Sequence, residues 1–530
     1  MRNKICMIFA ILTMAFNVFA QESIVPASFK YNNLSLNVPQ VELQKLDNQQ
    51  LMAADVAKGK DGSPLQIGVM QNVYLVMDKC GRVDLLPDGG KLWRLNLKSE
   101  GAVSVDLHLA NVEIPDGAAF YLYDPYREDV VEEITNAELL NQTDYYTDNV
   151  PGDELILEYY EPVDAAFAGT FEIAQLGHVY RASRLDKGYH GDSEGDCHID
   201  VICPEGDDWR DQIRSVVLYK IFATDGIYMC SGAMVNNARK DGTPYVLTAK
   251  HCEKPNATYR YYFKYEATDC GGTGSVGISV FGGVRRAYSN TSGNSDFMLM
   301  EITGNISHLI TSDMYLAGWD ASGSTPGIGA CIHHPGGDLK KISIPQTISS
   351  RSYYWRTVWY SKGVTEQGSS GSPLFDANKR IVGQLFGGSS FCETPQAPDD
   401  YGKLSHSWTN NNTSNNSLKL QPWLDPDNTG RKTLNGSYFY NVGVKENQPA
   451  TNSFTIYPNP SNGRLQINAK GMEGDAKCSV YDLVGKMVYS TSVIVEEGIS
   501  LDLSFLDNGV YILELNTGKS VQTSKLIISK

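Results

Sequence analysis

Residues 363–375 read GVTEQGSSGSPLF, a turn rich in glycine and serine that runs into an apolar segment. A serine hydroxyl is a weak nucleophile until a neighbouring base accepts its proton. The glycine at 368 lets the backbone turn so that two amide N–H groups point at one spot, where they can stabilise an oxyanion. A Gly-x-Ser-Gly motif alone is common in loops. This stretch nevertheless predicts a nucleophile at Ser370, with Gly368 and Ser370 as the oxyanion-hole donors.

Two motifs upstream supply the other groups that such a serine needs. His251 follows the β-type run of YVLTAKHC (residues 245–252), and Asp296 lies in SDFMLM (residues 295–300). An imidazole can act as the base, and a buried carboxylate fixes its tautomer and stabilises the imidazolium. The order histidine, aspartate, serine, 45 and then 74 residues apart, suits a two-barrel serine peptidase. We therefore predict a triad of His251, Asp296 and Ser370 that hydrolyses peptide bonds through an acyl-enzyme.

A pair of adjacent histidines offers a competing interpretation. His333 and His334 could bind zinc together with Cys252 or Cys331, because histidine and cysteine are the usual zinc ligands. The HExxH spacing of many metallopeptidases does not occur in the sequence. We therefore expect neither a catalytic metal ion nor a cofactor.

Composition narrows the class of protein. The chain has 530 residues with a formal net charge of −16, 42% apolar residues, 49 glycines, 30 tyrosines and ten cysteines. The negative charge disfavours binding to nucleic acid phosphates and to anionic lipids. The apolar content is ample for folded cores. The glycine, tyrosine and cysteine content favours an all-β, secreted protein with disulfide bonds.

The N-terminus predicts a secretory signal peptide. It has a basic start followed by an apolar run that ends in VFA at residues 18–20. A membrane anchor is the alternative, but the run is short for a span and no later stretch approaches 18 apolar residues. We therefore expect a mature form that does not span a membrane. The predicted segments are a signal peptide at 1–20, a β-rich propeptide at 21–187, a serine peptidase domain at 188–440, a linker at 441–452 and a β-rich domain at 453–530.

The segment from Cys197 to about Gly436 resembles the bacterial lysyl endopeptidases of the trypsin-like superfamily. The stretches that carry this resemblance are CHIDVICPEG (197–206), TAKHC (248–252), SDF (295–297), AGWD (317–320), IHHP (332–335), GVTEQGSSGSP (363–373), GQL (383–385), YGK (401–403) and WLDP (423–426). The resemblance implies a double six-stranded antiparallel β-barrel with the active site in the cleft between the barrels. It also implies protein or peptide substrates and carries the triad onto His251, Asp296 and Ser370.

Disulfide pairing is implied by the same resemblance. The pairs are Cys197–Cys392, Cys203–Cys270 and Cys230–Cys252, whereas the residues alone leave all 15 pairings of six cysteines open. The Cys230–Cys252 bridge would hold the turn that carries His251. Cys331 has no partner in the family, so it is either a buried free thiol or a partner of Cys80 before maturation.

Substrate preference depends on where the pocket carboxylate lies. In trypsin itself this charge sits six residues before the nucleophile, where Val364 stands here. Lysyl endopeptidases carry it in an Asp-x-Tyr-Gly-Lys/Arg stretch, which places it on Asp399 of DDYGK (399–403). The resemblance therefore implies cleavage on the carboxyl side of lysine, since a carboxylate in a narrow pocket favours a basic residue. The alternatives in specificity are a preference for arginine or a broad preference. The alternative for the two aspartates is that Asp399 and Asp400 form a solvated turn after Pro398.

One edge strand is expected to pair with the substrate backbone through Phe386, Gly387 and Gly388. The family has a histidine where Phe386 stands, and that histidine is thought to lie close to the triad. The loss of its polar edge predicts a different pH optimum. Trp355 or Trp359 is expected to supply an aromatic wall.

Residues 453–530 resemble the C-terminal sorting domain of type IX secretion in Bacteroidetes. The resemblance rests on YPNPSNG (457–463), VYDLVGK (480–486), LDNGVYI (506–512) and KLIISK (525–530). It implies a small β-sandwich that engages the secretion machinery, is removed after export and leaves the enzyme secreted or attached to the cell surface. For the whole chain, a non-enzymatic surface-binding protein on a peptidase fold remains the alternative.

Overall fold

The computed structural model describes residues 25–31, 34–58, 63–128, 130–140, 142–181, 197–275, 277–290, 294–360, 363–409, 414–439, 453–470, 474–482, 487–495, 499–516 and 521–530. The predicted signal peptide, a predicted cut between Lys187 and Gly188 and the predicted linker lie outside these residues. The chain divides into two compact units, Met1–Gly443 and Val444–Lys530.

The N-terminal part of the first unit (residues 25–181) is built mainly from strands. They are β1 Gln40–Glu42, β2 Leu65–Val76, β3 Arg82–Leu85, β4 Lys91–Lys98, β5 Ser104–Glu113, β6 Ala119–Tyr123, β7 Val130–Ile134, β8 Tyr145–Tyr146, β9 Val150–Pro151, β10 Glu154–Glu161 and β11 Thr170–Val179. The helices are α1 Asn48–Lys58 and α2 Asn136–Leu139. One sheet has the order β1–β4–β10–β6–β7, with β3 beside β4. Its inner face forms a core around Trp93, Phe120 and Phe171.

Strand β1 runs parallel to β4, whereas the other strand pairs of this N-terminal part are antiparallel. Alternation along a strand predicts which residues face the core, but it carries no information about the direction of the neighbouring strand. A three-residue strand is also too short for its own pattern to specify a register.

The central part of the first unit (residues 197–439) carries the sequence motifs. Its strands are β12 Ile199–Asp200, β13 Val216–Ala223, β14 Gly226–Val235, β15 Tyr245–Ala249, β16 Thr258–Phe263, β17 Glu266–Ala267, β18 Gly274–Ser275, β19 Ile278–Phe281, β20 Gly283–Tyr288, β21 Phe297–Ile302, β22 Tyr315–Leu316, β23 Trp319–Asp320, β24 Ala330–His333, β25 Lys341–Ser343, β26 Pro345–Ser350, β27 Tyr354–Trp359, β28 Pro373–Phe375, β29 Ile381–Gly388, β30 Asp399–Lys403, β31 Thr433–Leu434 and β32 Ser437–Tyr438. Its helices are α3 Arg210–Ile213, α4 Ser307–Ile310, α5 Leu404–Thr409 and α6 Gln421–Leu424.

Two curved sheets make up this central part. Strands β13–β16 and β19–β21 form a nearly closed barrel, and the sheet β12–β25–β24–β28–β29–β30–β27–β26 forms a half-barrel. The predicted all-β, chymotrypsin-like double barrel is therefore confirmed, with the second barrel more open than the first.

Strand β13 is buried on both faces, which explains why its sequence, VVLYKIFA, shows little alternation. Val217, Tyr219 and Ile221 point into the core of the first barrel. Leu218 and Phe222 point outward and pack with Leu65 of the N-terminal part in a shared core. Strand β13 therefore contributes to two apolar cores, one inside the first barrel and one shared with the N-terminal part.

The N-terminal part joins the first barrel through hydrogen-bonded strands. β2 pairs antiparallel with β14, with Gly68 opposite Ile227 and Leu65 opposite Met229. β2 also pairs with β11, so a single twelve-stranded sheet runs from the N-terminal part into the barrel. Backbone hydrogen bonds and a shared apolar core therefore hold these two parts together.

The C-terminal unit is a sandwich of two small antiparallel sheets, as predicted. Its strands are β33 Ser453–Tyr457, β34 Arg464–Lys470, β35 Gly474–Tyr481, β36 Met487–Val495, β37 Ile499–Asp502, β38 Gly509–Asn516 and β39 Val521–Ile528. The sheets have the orders β33–β34–β37 and β36–β35–β38–β39. Alternate residues, among them Ile467, Val480 and Leu513, fill the space between them.

Candidate active site

His251 and Asp296 are brought together by the pairing of two barrel strands. β15 ends at Ala249, and a single 3₁₀ turn, Lys250–Cys252, then presents His251. β21 begins at Phe297, directly after Asp296, and Ala249 lies opposite Phe297 in the ladder. Two side chains 45 residues apart in sequence therefore become neighbours at the same end of this strand pair.

The contact between them is a double hydrogen bond. His251 Nδ1 lies 2.6 Å from Asp296 Oδ2, and the His251 backbone N–H donates to Asp296 Oδ1 at 3.0 Å. Because a carboxylate only accepts hydrogen bonds, Nδ1 carries the proton and Nε2 presents a lone pair. Nε2 is buried and makes no hydrogen bond with any residue that the structure describes. The imidazole thus has one nitrogen fixed and the other available to an outside group.

Asp296 is supported by the second barrel. It has a positive φ of 54°, in the left-handed region, which aspartate tolerates better than most residues. Gln384 Nε2 donates to the neighbouring Ser295 carbonyl at 2.5 Å. Gly402 lies so close to this carbonyl that a Cβ there would be 1.7 Å from the Ser295 oxygen. The second barrel therefore holds the backbone next to Asp296, whereas the carboxylate itself contacts His251 of the first barrel.

Ser370 lies in a turn whose backbone is tied to the first barrel. Gly368 has a φ of 91°, and its carbonyl accepts a hydrogen bond from the Ser231 hydroxyl at 2.8 Å. The Ser370 carbonyl accepts from the Ser231 N–H, also at 2.8 Å. Within the described residues, the N–H groups of Gly368 and Ser370 and the Ser370 hydroxyl make no hydrogen bond. Three polar groups of this turn are thus unpaired within the described residues, and Ser370 makes no hydrogen bond with His251 Nε2.

A pocket opens beside Ser370. It is lined by Ser63, Thr365, Glu366, Gln367, Ser370, Leu385, Phe386, Gly387 and Gly388. The predicted substrate-contacting residues of β29 thus share a pocket with the predicted nucleophile. Ser63 comes from the N-terminal part, which therefore reaches into the mouth of the cleft.

Asp399 is completely buried directly behind the pocket wall. A Cβ on Gly388 would lie 1.8 Å from Asp399 Oδ1, so only a glycine leaves room for the carboxylate. Trp359, Thr365 and Ser390 side chains donate to Oδ2 at 2.6–2.7 Å, and the Ser390 N–H donates to Oδ1 at 3.2 Å. These four donors compensate the burial of one negative charge.

Asp400 differs completely from its neighbour. It forms a two-pronged ion pair with Arg356, with distances of 2.8 and 2.7 Å, on the opposite face of β30. The alternative in which Asp399 and Asp400 share a solvated turn is wrong, because both lie in a strand whose alternation buries only the first.

The aromatic residue beside the site is Tyr354, which the sequence analysis missed. Phe386 lies edge-on to the His251 ring, with centroids 6.2 Å apart, and 5.2 Å from Tyr354. Trp355 is buried and donates to the Val382 carbonyl, whereas Trp359 contacts Asp399. Alternation along β27 places Trp355 and Trp359 on its buried face and Tyr354 on the other, because adjacent residues of a strand face opposite sides.

Three disulfide bonds join Cys197 to Cys392, Cys203 to Cys270 and Cys230 to Cys252, the pairs implied by the resemblance. The last of these ties the turn of His251 to β14. Cys331 is a buried free thiol, 3.5 Å from the Ser372 hydroxyl, and burial raises its pKa to about 12. It does not pair with Cys80.

Among the described residues, His333 and His334 belong to no cluster of three potential metal ligands, and of their four ring nitrogens only His334 Nε2 has no hydrogen-bond partner. Both ring nitrogens of His333 contact serine hydroxyls, and His334 Nδ1 contacts the Asp338 carbonyl. Cys252 is in a disulfide bond. A metal ion would have to displace these contacts.

Comparison with known proteins assigns each region of the chain. The lysyl endopeptidase N-terminal domain matches residues 41–180, the lysyl endopeptidase C-terminal domain matches residues 190–402, and the secretion system C-terminal sorting domain matches residues 455–529. The chain is also similar to a lysyl endopeptidase from Pseudomonas aeruginosa. The two are 26% identical over 375 residues, covering 64% of this chain and 79% of that protein.

These matches identify the chain as a peptidase, and the sorting domain indicates secretion. Among the described residues, none of the helices has the length and apolar character required to cross a membrane. The chain carries matches to the N-terminal and C-terminal domains of the lysyl endopeptidases in order, followed by a secretion system C-terminal sorting domain.

Proposed function

We propose that the chain is a secreted serine endopeptidase that hydrolyses peptide bonds on the carboxyl side of lysine. The observation that carries this proposal is the arrangement of unpaired groups in the cleft. His251 Nε2 presents a lone pair, and the Ser370 hydroxyl and two adjacent N–H groups make no hydrogen bond within the described residues. Buried polar groups are rarely left in this state unless they bind a ligand.

The proposed chemistry assigns each group one role. His251 Nε2 removes the Ser370 proton while Oγ attacks the peptide carbonyl carbon. The Gly368 and Ser370 N–H groups stabilise the resulting oxyanion, each worth about 3 kcal/mol. His251 then gives its proton to the leaving amine, and a water activated by the same base releases the acyl group. Asp296 keeps the imidazole in the required tautomer and stabilises its protonated form.

Lysine preference is proposed from the surroundings of Asp399. The carboxylate lies behind Gly388 at the wall of the pocket beside Ser370, and Val364, the position of the trypsin charge, is apolar and buried. A side chain that passes Gly388 would therefore bring an ammonium group to Asp399 Oδ1. The resemblance to lysyl endopeptidases supports lysine over arginine.

The N-terminal part is proposed to be a propeptide that covers the cleft, with the segments divided as 21–187 and 188–440. Ser63 at the mouth of the pocket supports this role. We propose that the enzyme itself cuts between Lys187 and Gly188, and that the sorting domain at 453–530 is removed after export, leaving a secreted or surface-attached enzyme.

A labelling experiment separates a peptidase from a binding protein on the same fold. A serine-directed organophosphonate should label the mature protein at Ser370, and the Ser370→Ala variant should remain unlabelled. A peptide library varied at the residue before the cut should then show cleavage after lysine, with arginine much poorer. An unlabelled wild-type protein without peptidase activity would contradict the proposal.

A further inference from the structure

A fully buried histidine lies beneath the turn that carries the oxyanion-hole donors. His333, at the end of β24, is 0% exposed. Its Nδ1 lies 2.7 Å from the Ser369 hydroxyl, and its Nε2 lies 2.9 Å from the Ser343 hydroxyl. Ser369 is the residue between the two proposed oxyanion-hole donors. The triad described above makes no use of this histidine.

The Val364 carbonyl, at one end of this series of hydrogen bonds, determines the direction of each of them. The Val364 carbonyl can only accept, so it takes the proton of the Ser343 hydroxyl at 3.2 Å. Ser343 Oγ therefore accepts from the Nε2–H of His333. That leaves Nδ1 to accept the hydroxyl proton of Ser369, whose oxygen in turn accepts the Glu366 N–H at 3.3 Å.

The imidazole therefore bridges two points of one loop. Val364 and Ser369 lie at either end of the segment that lines the pocket and leads to Ser370. Burial, reinforced by the nearby His198, His334 and Lys341, lowers the pKa of His333 well below its usual range. The ring is thus neutral under working conditions, as the hydrogen-bond pattern requires.

The segment that follows His333 also holds the loop through its backbone. The His334 N–H donates to the Ser231 hydroxyl at 3.0 Å, and that hydroxyl donates to the Gly368 carbonyl. The Gly336 N–H donates to the Gln367 carbonyl at 2.7 Å. These contacts fix the carbonyl groups of the turn. His333 fixes the Ser369 side chain, which lies between the N–H groups of Gly368 and Ser370.

We propose that His333 is a positioning residue for the oxyanion hole, holding Ser369 so that the N–H groups of Gly368 and Ser370 converge on one point. This inference rests on the proposed serine peptidase function. An oxyanion exists only during the reaction, so misdirected N–H groups would weaken transition-state binding and leave substrate binding almost unchanged. The predicted signature is a lower kcat at a nearly constant KM.

Three substitutions test this role in the mature enzyme. His333→Phe keeps a ring and removes both nitrogens, and it should lower kcat about tenfold to a hundredfold, a fraction of the loss of a whole donor. His333→Asn retains an oxygen that can accept a hydrogen bond from Ser369, so its kcat should lie between those of the wild type and His333→Phe. Ser369→Ala breaks the same contact with a smaller change and serves if His333→Phe does not fold.

The matched control is Ile332→Val, a buried neighbour on the opposite face of β24. It should lower stability by about 1 kcal/mol without changing kcat. A peptide aldehyde ending in lysine provides a second readout, because its adduct with Ser370 carries an oxyanion. Its affinity should fall in parallel with kcat in the His333 and Ser369 variants.

Wild-type hydrolysis tests the proposed function, and the ratio of variant to wild-type kcat tests the inference separately. Folded His333→Phe and Ser369→Ala enzymes with wild-type kcat would overturn it. If Ile332→Val lowered kcat and aldehyde affinity as much as the His333 and Ser369 variants do, the inference would also be overturned, because the effect would then follow stability alone.

Discussion

The proposed catalytic cleft and the contact between the N-terminal part and the first barrel are both buried and polar, but polar groups lack partners in the cleft and are paired at the contact. In the cleft, His251 Nε2 makes no hydrogen bond within the described residues. At the contact, Lys220 donates to Asn149, and Arg260 donates to the Tyr146 carbonyl at 2.6 Å.

More pairs complete the contact with the N-terminal part. Arg260 also lies 3.0 Å from Glu132 of β7, and the Tyr262 hydroxyl donates to Asp148 at 2.8 Å. A buried polar atom without a partner costs about 1–3 kcal/mol. Under the proposed function, a substrate would supply the partners that the cleft groups lack. The difference is the one expected between a surface that binds an outside molecule and a surface that binds the chain itself.

Loss of the nucleophile should have the largest effect on the cleft. Ser370→Ala should fold normally and lose about 10⁶-fold in kcat, the size of loss known for a comparable triad. Hydrolysis of a lysine peptide by the purified variant measures this. Cleavage at the wild-type rate would show that the unpaired groups of the cleft do not form a catalytic site.

The same variant tests how the contact is released. If the enzyme itself cuts between Lys187 and Gly188, the Ser370→Ala protein should accumulate with the N-terminal part attached. N-terminal sequencing of the active wild-type enzyme should find Gly188 first. An active enzyme that begins at Gln21 would contradict the propeptide proposal.

The pocket carboxylate should rank next. Asp399→Asn should lower kcat/KM for lysine substrates by about 10²-fold to 10³-fold, because the substrate ammonium would be buried without a countercharge. Substrates with an uncharged residue at this position should change little. Asp400→Asn is the matched control and should be nearly neutral, since its partner Arg356 is partly exposed. Equal damage from both variants would contradict the proposed pocket.

At the contact, removal of one partner should destabilise the uncut protein. Glu132→Gln leaves Arg260 buried without its countercharge, which should cost about 3 kcal/mol. Urea unfolding of the Ser370→Ala protein, with and without this change, measures the difference. The control is Asp427→Asn, which breaks an exposed ion pair with Arg239 and should cost less than about 1 kcal/mol. Similar losses from both changes would show that burial of the contact contributes little.

Acid should lower the free energy of unfolding of the uncut protein, because the fold keeps two buried histidines neutral. Burial lowers the pKa of His333 and His334 well below 6.5 in the folded chain. Below pH 6.5 the unfolded chain binds protons that the folded chain does not. Stability should therefore be level above about pH 7 and fall below pH 6.5, by up to about 1.4 kcal/mol per pH unit for each histidine.

Urea midpoints at pH 7.5 and 5.5 measure this loss in the Ser370→Ala protein. His334→Gln should make the midpoint less dependent on pH, because one of the two groups can no longer titrate. Stability that rises toward pH 5.5 would contradict the assignment.

The sequence predicted the double barrel, and it pointed to the cleft residues because each lies in a short motif with its own chemistry. Tyr354 was missed because nothing in a motif states which face of β27 meets the cleft. The pairing of β2 with β14 was missed for a related reason. Edge strands carry no local mark of a distant partner, although the apolar run of β13, interrupted only by Lys220, could have indicated that both its faces are covered.

Separation of the N-terminal part would turn the β2–β14 pairing into an open sheet edge. The backbone groups at Ile227 and Met229 would lose their partner strand, and such edges template association between copies of a chain. Lys220 and Arg260 would then stand exposed on the outer wall of the same barrel, where cations are a common protection against edge-to-edge aggregation. Two cations that are buried against the N-terminal part in the uncut protein would thus help to keep the mature enzyme soluble.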